Sequence, residues 1–349
     1  MTPEAITMFG RQEDLERAHW PVRARASQPA GRKRQFSLRW LSRRALCISL
    51  DEASFARRGF HEHDKKARLH LERIGRTFLH GYHAALDDEE IAALGERLNS
   101  IESEFRGFAF EGAAMGLAIL DSLMPWRSVR VPSFLDGPAS SHPYMIHVGV
   151  GWALARLPWR FKRAFSSLDP LLRWLAIDGY GFHEGYFHWR SYVSNLRSPA
   201  RFSGYAARAF DQGLGRSLWF VDGADVNRIP ATIAAFPQSR HADLWSGVGL
   251  ACTYAGGVGR PAIEALCSAA GAYRPQLAQG AAFAAKTRRR AHNPASHTAM
   301  ACEVLCGLSE ERAAEATDIA LLNLTKNGTE PEYEVWRQRI QARFEHLRS

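Results

Sequence analysis

Three ionisable side chains crowd the end of the segment Asp178-Gly-Tyr-Gly-Phe-His-Glu-Gly-Tyr-Phe-His188. Glu184 beside His183 is an acid/base pair, since a carboxyl and an imidazole in partly apolar surroundings can exchange a proton near neutral pH. His188 falls one helical turn beyond Glu184 and can face the same way. His183, Glu184 and His188 could together hold a metal, with His147 as a further ligand. The paired Glu-x-x-His motifs of carboxylate di-iron bundles are absent, however, so no metal and no other cofactor is expected. His61-Glu62-His63 reads as exposed surface. Cys302 and Cys306 are one turn apart without a second cysteine pair, and read as core. The chain has no phosphate-binding loop, dinucleotide fingerprint or nucleophile elbow.

The unit around Glu184, an acid or amide followed by glycine, recurs at Glu111-Gly112, Gln212-Gly213 and Gln279-Gly280. Gly112, Gly149, Gly185, Gly213, Gly247 and Gly280 succeed one another at intervals of 37, 36, 28, 34 and 33. Each sits in an apolar helical segment. Second helices such as 229–236, 262–270 and 298–305 lie between them, and Pro199, Pro230, Pro261, Pro275 and Pro294 punctuate the series. A period near 34 with two helices per unit predicts stacked helix hairpins. The expected fold is all-α, a tetratricopeptide-like superhelix of repeats of about 34 residues; a closed α/α toroid of six hairpins is the alternative. A glycine inside a helix costs about 1 kcal/mol relative to alanine. Repeating it six times implies close approach of neighbouring helices.

Equivalent positions of stacked repeats project from one surface. Glu184, His183 and Glu111 are therefore expected to be catalytic, and His147, His188, Asp211, Gln212, Trp245 and Gln279 to bind ligand in a groove walled by aromatics. The competing reading makes the same polar groups a hydrogen-bonded ladder that fixes repeat register.

The rest of the 349-residue chain frames this centre. Residues 1–50 carry ten Arg/Lys against four Asp/Glu, six of the nine net positive charges, so a basic flexible arm precedes a nearly neutral body. That distribution excludes a basic nucleic-acid-binding domain. Helices over 51–100 lead into the repeat domain, 101–308, and 309–349 supplies capping helices. Within the cap, Tyr333, Trp336, Ile340, Phe344 and Leu347 fall on one helical face. Lys286-Thr-Arg-Arg-Arg290 ends a helix, where cations suit the dipole. The five cysteines suit a reducing compartment, no apolar run reaches the roughly 20 residues of a membrane helix, and a cytoplasmic location is expected.

The strings Arg106-Gly-Phe-Ala-Phe-Glu-Gly-Ala-Ala-Met-Gly116, His147-Val-Gly-Val-Gly-Trp-Ala-Leu-Ala-Arg-Leu-Pro158, Asp178–Phe187, Asp211-Gln-Gly-Leu-Gly-Arg-Ser-Leu-Trp-Phe220 and Ala242-Asp-Leu-Trp-Ser-Gly-Val-Gly-Leu250 resemble the bacterial domain-of-unknown-function family 1702. The resemblance runs from about Asp51 to Leu308. Some members of that family are labelled enediyne biosynthesis proteins, which implies a setting in specialised metabolism and supplies no catalytic residues to carry over. The expected role is an accessory protein that acts on or holds a hydrophobic polyene or polyketide-derived molecule; whether it is an enzyme stays open. The alternative is a non-catalytic helical-repeat scaffold that docks carrier proteins or polyketide synthase domains through Lys286–Arg290 and the basic arm.

Overall fold

A computed structural model describes residues 46–87, 90–124, 129–324 and 328–346, all within one compact unit, Leu46–Ser349. The basic arm before Leu46, Asp88-Glu89 and Leu347 lie outside the described residues. Among the described residues there are sixteen α-helices and no strand, an all-α helical-repeat fold. After a short helix α1 (Phe55–Arg58), long helices alternate with shorter ones: α2 (Lys65–Asp87), α3 (Ile91–Asn99), α4 (Ser103–Leu123), α5 (Arg130–Asp136), α6 (Pro143–Arg156), α7 (Phe161–Ser167), α8 (Trp174–Phe187) and α9 (Tyr205–Val221). The series continues with α10 (Arg228–Ala234), α11 (Gln238–Ala255), α12 (Arg260–Ala269), α13 (Arg274–Arg290), α14 (Ser296–Cys306), α15 (Glu310–Leu321) and α16 (Glu332–His346).

The long members α2, α4, α6, α8, α9, α11 and α13 pack in that order, each against the next. They are parallel. His241 and Tyr273 meet at the starts of α11 and α13, while Arg288 near the end of α13 donates to Tyr254 O near the end of α11 at 2.6 Å. Trp174 and Tyr205 likewise meet at the starts of α8 and α9, and Gly185 faces Ser217 near their ends. The intervening chain, mostly short helices, returns outside this row. Helices α4, α6 and α8 are apolar almost all round, as buried helices must be: Leu175 to Tyr186 of α8 is an unbroken run of buried residues.

Glycine sets the register. A Cβ on Gly112 would collide with Phe78 O, on Gly149 with Glu111 O, on Gly179 with Val148 O, on Gly213 with Asp178 O, on Gly247 with Gln212 O and on Gly280 with Ser246 O. From Gly149 onward, each such glycine touches the carbonyl of the residue just before the preceding helix's own register glycine. A second set two residues on looks the other way: Gly151 abuts Ala176 O, Gly181 abuts Phe210 O, Gly215 abuts Leu244 O and Gly249 abuts Leu277 O. All these approaches are far inside 3.0 Å, a separation that real Cβ atoms do not show. Backbone therefore packs on backbone, and the helical penalty of glycine is offset by dispersion contacts across the whole row.

This register corrects the sequence reading at one repeat. Gly179, with Asp178 before it, is the equivalent position in α8. The intervals become 37, 30, 34, 34 and 33. Gly185 lies beyond it against the Ser217 side chain. Glu184 is consequently out of register with Glu111, Gln212 and Gln279, and does not share their wall.

The row bends until its ends meet. Gly107 and Phe108 of α4 pack against Tyr254 of α11, with the Phe108 and Tyr254 rings 5.1 Å apart. Arg288 of α13 reaches Glu104 O at 2.9 Å, and His70 Nε2 of α2 lies 2.6 Å from Ala255 O. The repeats thus stack in sequence and also close round an axis. Helix α16 covers α13, burying Tyr333, Trp336, Ile340 and Phe344 as the periodicity of the tail requires.

Candidate functional site: an axial cavity with a buried carboxyl

The residues three and seven after each register glycine point to the axis. They include Trp152, Phe182, Arg216 and Phe283, then Tyr186, Phe220 and Tyr254. They line two cavities. The first, about 520 Å³ of space partly open to solvent, is walled by Phe78, Phe108, Met115, Trp152, Phe182, Tyr186 and Phe220, and closed on one side by Ile48 and Ala53. Two carboxyls border it. Glu52 is tied to Arg58 at 2.6 Å and to Arg57 at 3.1 Å. Glu111 is buried, and Trp152 Nε1 donates to its Oε1 at 3.0 Å. Burial pushes the Glu111 carboxyl up to about 7; the field of Arg216 and the Trp152 hydrogen bond oppose the rise without cancelling it. A carboxyl near 7 in an apolar cavity can donate a proton or accept one at neutral pH.

The second cavity, about 480 Å³, lies among α6, α8, α9, α11, α13 and α16, with Met145, Val148, Leu250, Phe283 and Trp336 in its wall. Arg216 borders it as well. Arg216 pairs with Asp178, which also accepts from Gln212 Nε2 at 3.0 Å. Gln212 Nε2 reaches the Tyr333 hydroxyl at 3.2 Å. Burial raises Asp178 while Arg216 opposes it, and Asp178 in turn helps hold Arg216 charged. The group Asp178–Arg216–Gln212–Tyr333 forms a polar plug on the axis.

The remaining expected site residues go elsewhere. Gln279 accepts from Ser246 Oγ at 2.8 Å and Arg337 Nε at 3.3 Å, a cross-repeat link of the ladder type. Asp211 is held by Arg240 through two hydrogen bonds, of 2.9 and 2.5 Å. His147 Nδ1 lies 2.7 Å from Pro143 O, and burial lowers its imidazole. Trp245 is core.

Glu184 stands between two imidazoles, 3.0 Å from His183 Nδ1 and 3.2 Å from His188 Nδ1. Burial pushes this carboxyl up, but hydrogen bonds from His183 and His188 outweigh it and hold it at about 2. It is an ionised acceptor rather than a proton donor at neutral pH. The trio's ligand atoms are close enough to hold a metal ion, and His147 is not among them. His183 packs edge-on against Trp152 at 5.6 Å and at a tilt against Phe187 at 4.9 Å. The trio therefore buttresses the cavity wall that carries the Trp152–Glu111 hydrogen bond.

Sequence reasoning missed Arg216, Asp178 and Tyr333. Arg216 lies three residues after Gly213, a spacing that marks the axial face once the register is known. Tyr333 comes from outside the repeats and left no such signal.

The basic run Lys286–Arg290 is largely engaged. Lys286 pairs with Asp318, Arg288 is fully buried and donates to Glu104 O, Asn293 O and Tyr254 O, and Arg289 donates to Glu311 O. No helix among the described residues is long and apolar enough to cross a membrane. A family model described as "Protein of unknown function (DUF1702)" matches residues 37–344. No curated protein and no solved structure matches the chain.

Proposed function

The chain belongs to the DUF1702 family, and on that premise we propose that it serves bacterial specialised metabolism by taking a hydrophobic polyene or polyketide-derived molecule, of the enediyne type, into its axial cavity. The observation that carries this reading is the cavity lined by Phe108, Trp152, Phe182, Tyr186 and Phe220 with the Glu111 carboxyl at its wall. An apolar recess with a buried carboxyl in its wall has the lining of a small-molecule site. Glu111, poised near 7, is the proton donor or acceptor for whatever conjugated system lies against it. Glu184, ionised and hydrogen-bonded to His183 behind Trp152, positions that wall.

The scaffold reading is weaker here, because Lys286 and Arg288 are committed inside the protein and leave little of that run to dock a carrier protein or synthase domain.

The test compares metabolite profiles of a deletion strain with strains carrying Glu111→Gln or Glu184→Gln. Glu111→Gln is expected to reproduce the deletion profile with protein at wild-type abundance. Wild-type product output from that strain would refute the proton-transfer role. A deletion profile for Glu184→Gln alone would move the chemistry to the His183–Glu184 pair.

A further inference from the structure

A second cluster of metal-ligating side chains lies away from the axial carboxyl. The link between α1 and α2 carries His61 and His63, and the turn after α9 carries Asp225. His61 Nε2 lies 3.4 Å and His63 Nδ1 3.5 Å from the same carboxylate oxygen, Asp225 Oδ2. The three atoms fall within 4.8 Å of one another. Metal–ligand bonds of about 2.1 Å in a tetrahedral site put neighbouring ligand atoms about 3.4 Å apart. Those separations match the ligand edges of such a site and are long for hydrogen bonds. The Glu184 trio, at 3.0 and 3.2 Å, has ordinary hydrogen-bond spacing instead.

The backbone holds this convergence. His61 N donates to Val221 O at 2.9 Å, and Gly223, at φ +63°, lets His61 O approach so closely that any Cβ would collide with it. Asp64 accepts from Ala67 N at 2.8 Å and fixes the start of α2 beyond the histidines. On the other side, Ala224 takes φ +57°, a left-handed conformation unfavourable for alanine. Asn227 N donates to Asp225 Oδ1 at 3.0 Å, which orients the carboxylate and leaves Oδ2 facing the imidazoles. His61 and His63 side chains are 38% and 56% exposed, so a fourth position would be open to solvent.

We propose that His61, His63 and Asp225 form a binding site for a divalent transition-metal ion of the zinc class, which clips the segment before α2 onto the end of α9. Two imidazoles and a carboxylate suit such an ion. The clip has a structural consequence. The clipped segment includes Ile48, Glu52 and Ala53, one wall of the Glu111 cavity, and Phe60 next to His61 meets Tyr186 edge to face at 5.0 Å. Metal at this site holds that wall shut.

The test uses the full-length protein stripped with a chelator, then Zn²⁺ in equilibrium dialysis with elemental analysis, and Co²⁺ with visible absorption as a report of coordination. The wild-type chain is expected to bind one equivalent of Zn²⁺, with a four-coordinate Co²⁺ spectrum. Asp225→Asn and His63→Ala are each expected to weaken binding about 100-fold or more, while His188→Ala binds as wild type. Circular dichroism of His63→Ala, a change at an exposed side chain, verifies that the fold survives. Limited proteolysis within residues 46–64 should be slowed by Zn²⁺ in the wild type and not in His63→Ala. Absence of stoichiometric binding, unchanged affinity in both site variants, or loss of binding in His188→Ala would each overturn the assignment.

Discussion

Replacing Glu111 by Gln should make the protein more stable in a pH-dependent way, and the size of the effect follows from burial. The ordinary value for a glutamate side chain is 4.5, and enclosure in the cavity wall moves Glu111 to about 7. The folded state therefore holds a proton that the unfolded chain releases. The associated stability is fully present below pH 4.5 and is lost as pH rises through about 7. Each pH unit between the two values is worth about 1.4 kcal/mol, so the ionisable wild type forfeits roughly 3 kcal/mol by pH 8. Glutamine keeps an acceptor for Trp152 Nε1 and cannot ionise. The stability of Glu111→Gln relative to wild type should be constant below pH 4.5 and then grow by about 3 kcal/mol toward pH 8. Urea denaturation followed by tryptophan fluorescence at half-unit intervals from pH 4 to 8.5 measures it. A difference that stays flat across this range, or one that favours the wild type as pH rises, would refute the assignment of a high-lying carboxyl to Glu111. It would also remove the basis for proton transfer there.

Three further outcomes follow from the packing. Gly213→Ala should destabilise the fold by about 1–3 kcal/mol or more despite alanine's better helix propensity, because its Cβ would enter the Asp178 carbonyl; Gly185→Ala, which would press on the Ser217 and Leu214 side chains rather than on backbone, should cost less, as thermal denaturation can show. Arg216→Met should cost about 3–5 kcal/mol by leaving Asp178 buried without its partner, and Asp178→Asn in the same chain should restore much of that loss; chemical denaturation of both variants decides it. His188→Ala should cost less than about 1 kcal/mol, since the His188 ring is largely exposed and its pairing with Glu184 is screened. The Glu184 hydrogen bond raises His188, so that contribution should be present below pH 6.5 and fade as pH climbs beyond the raised value, which denaturation at pH 5.5 and 8.5 resolves.

Much of the fold is legible in the sequence because one physical requirement repeats. Parallel helices that touch backbone to backbone need glycine at the contact, and that need recurs about every 34 residues. The register within α8 was not legible. That helix holds Gly179, Gly181 and Gly185, all allowed by the pattern, and only the neighbouring carbonyls select among them. The same ambiguity makes Glu184 rather than Asp178 look like the in-register acid. Glu111 was identifiable as an in-register acid, but its environment is not local: Trp152, Arg216 and the aromatic wall come from other helices. Asp211 and Gln279 look equally functional in sequence, and only the structure reveals the partners Arg240, Ser246 and Arg337 that tie them into links between helices. His61-Glu62-His63 reads as plain surface until Asp225, distant in the chain, is seen to face it.

The parallel alignment of the seven long helices has an electrical consequence. Each helix carries roughly half a positive charge at its start and half a negative charge at its end. In an antiparallel bundle neighbouring dipoles cancel; in this ring they add. Of the seven, α2 is capped by Asp64 and α4 has Glu104 in its first turn, while the other five have no acidic side chain in the first turn. At the opposite face Arg156 and Arg288–Arg290 end α6 and α13 as counter-charges. The ring of helices is thus polarised end to end, partly positive at the face where the seven helices start and partly negative at the face where they finish.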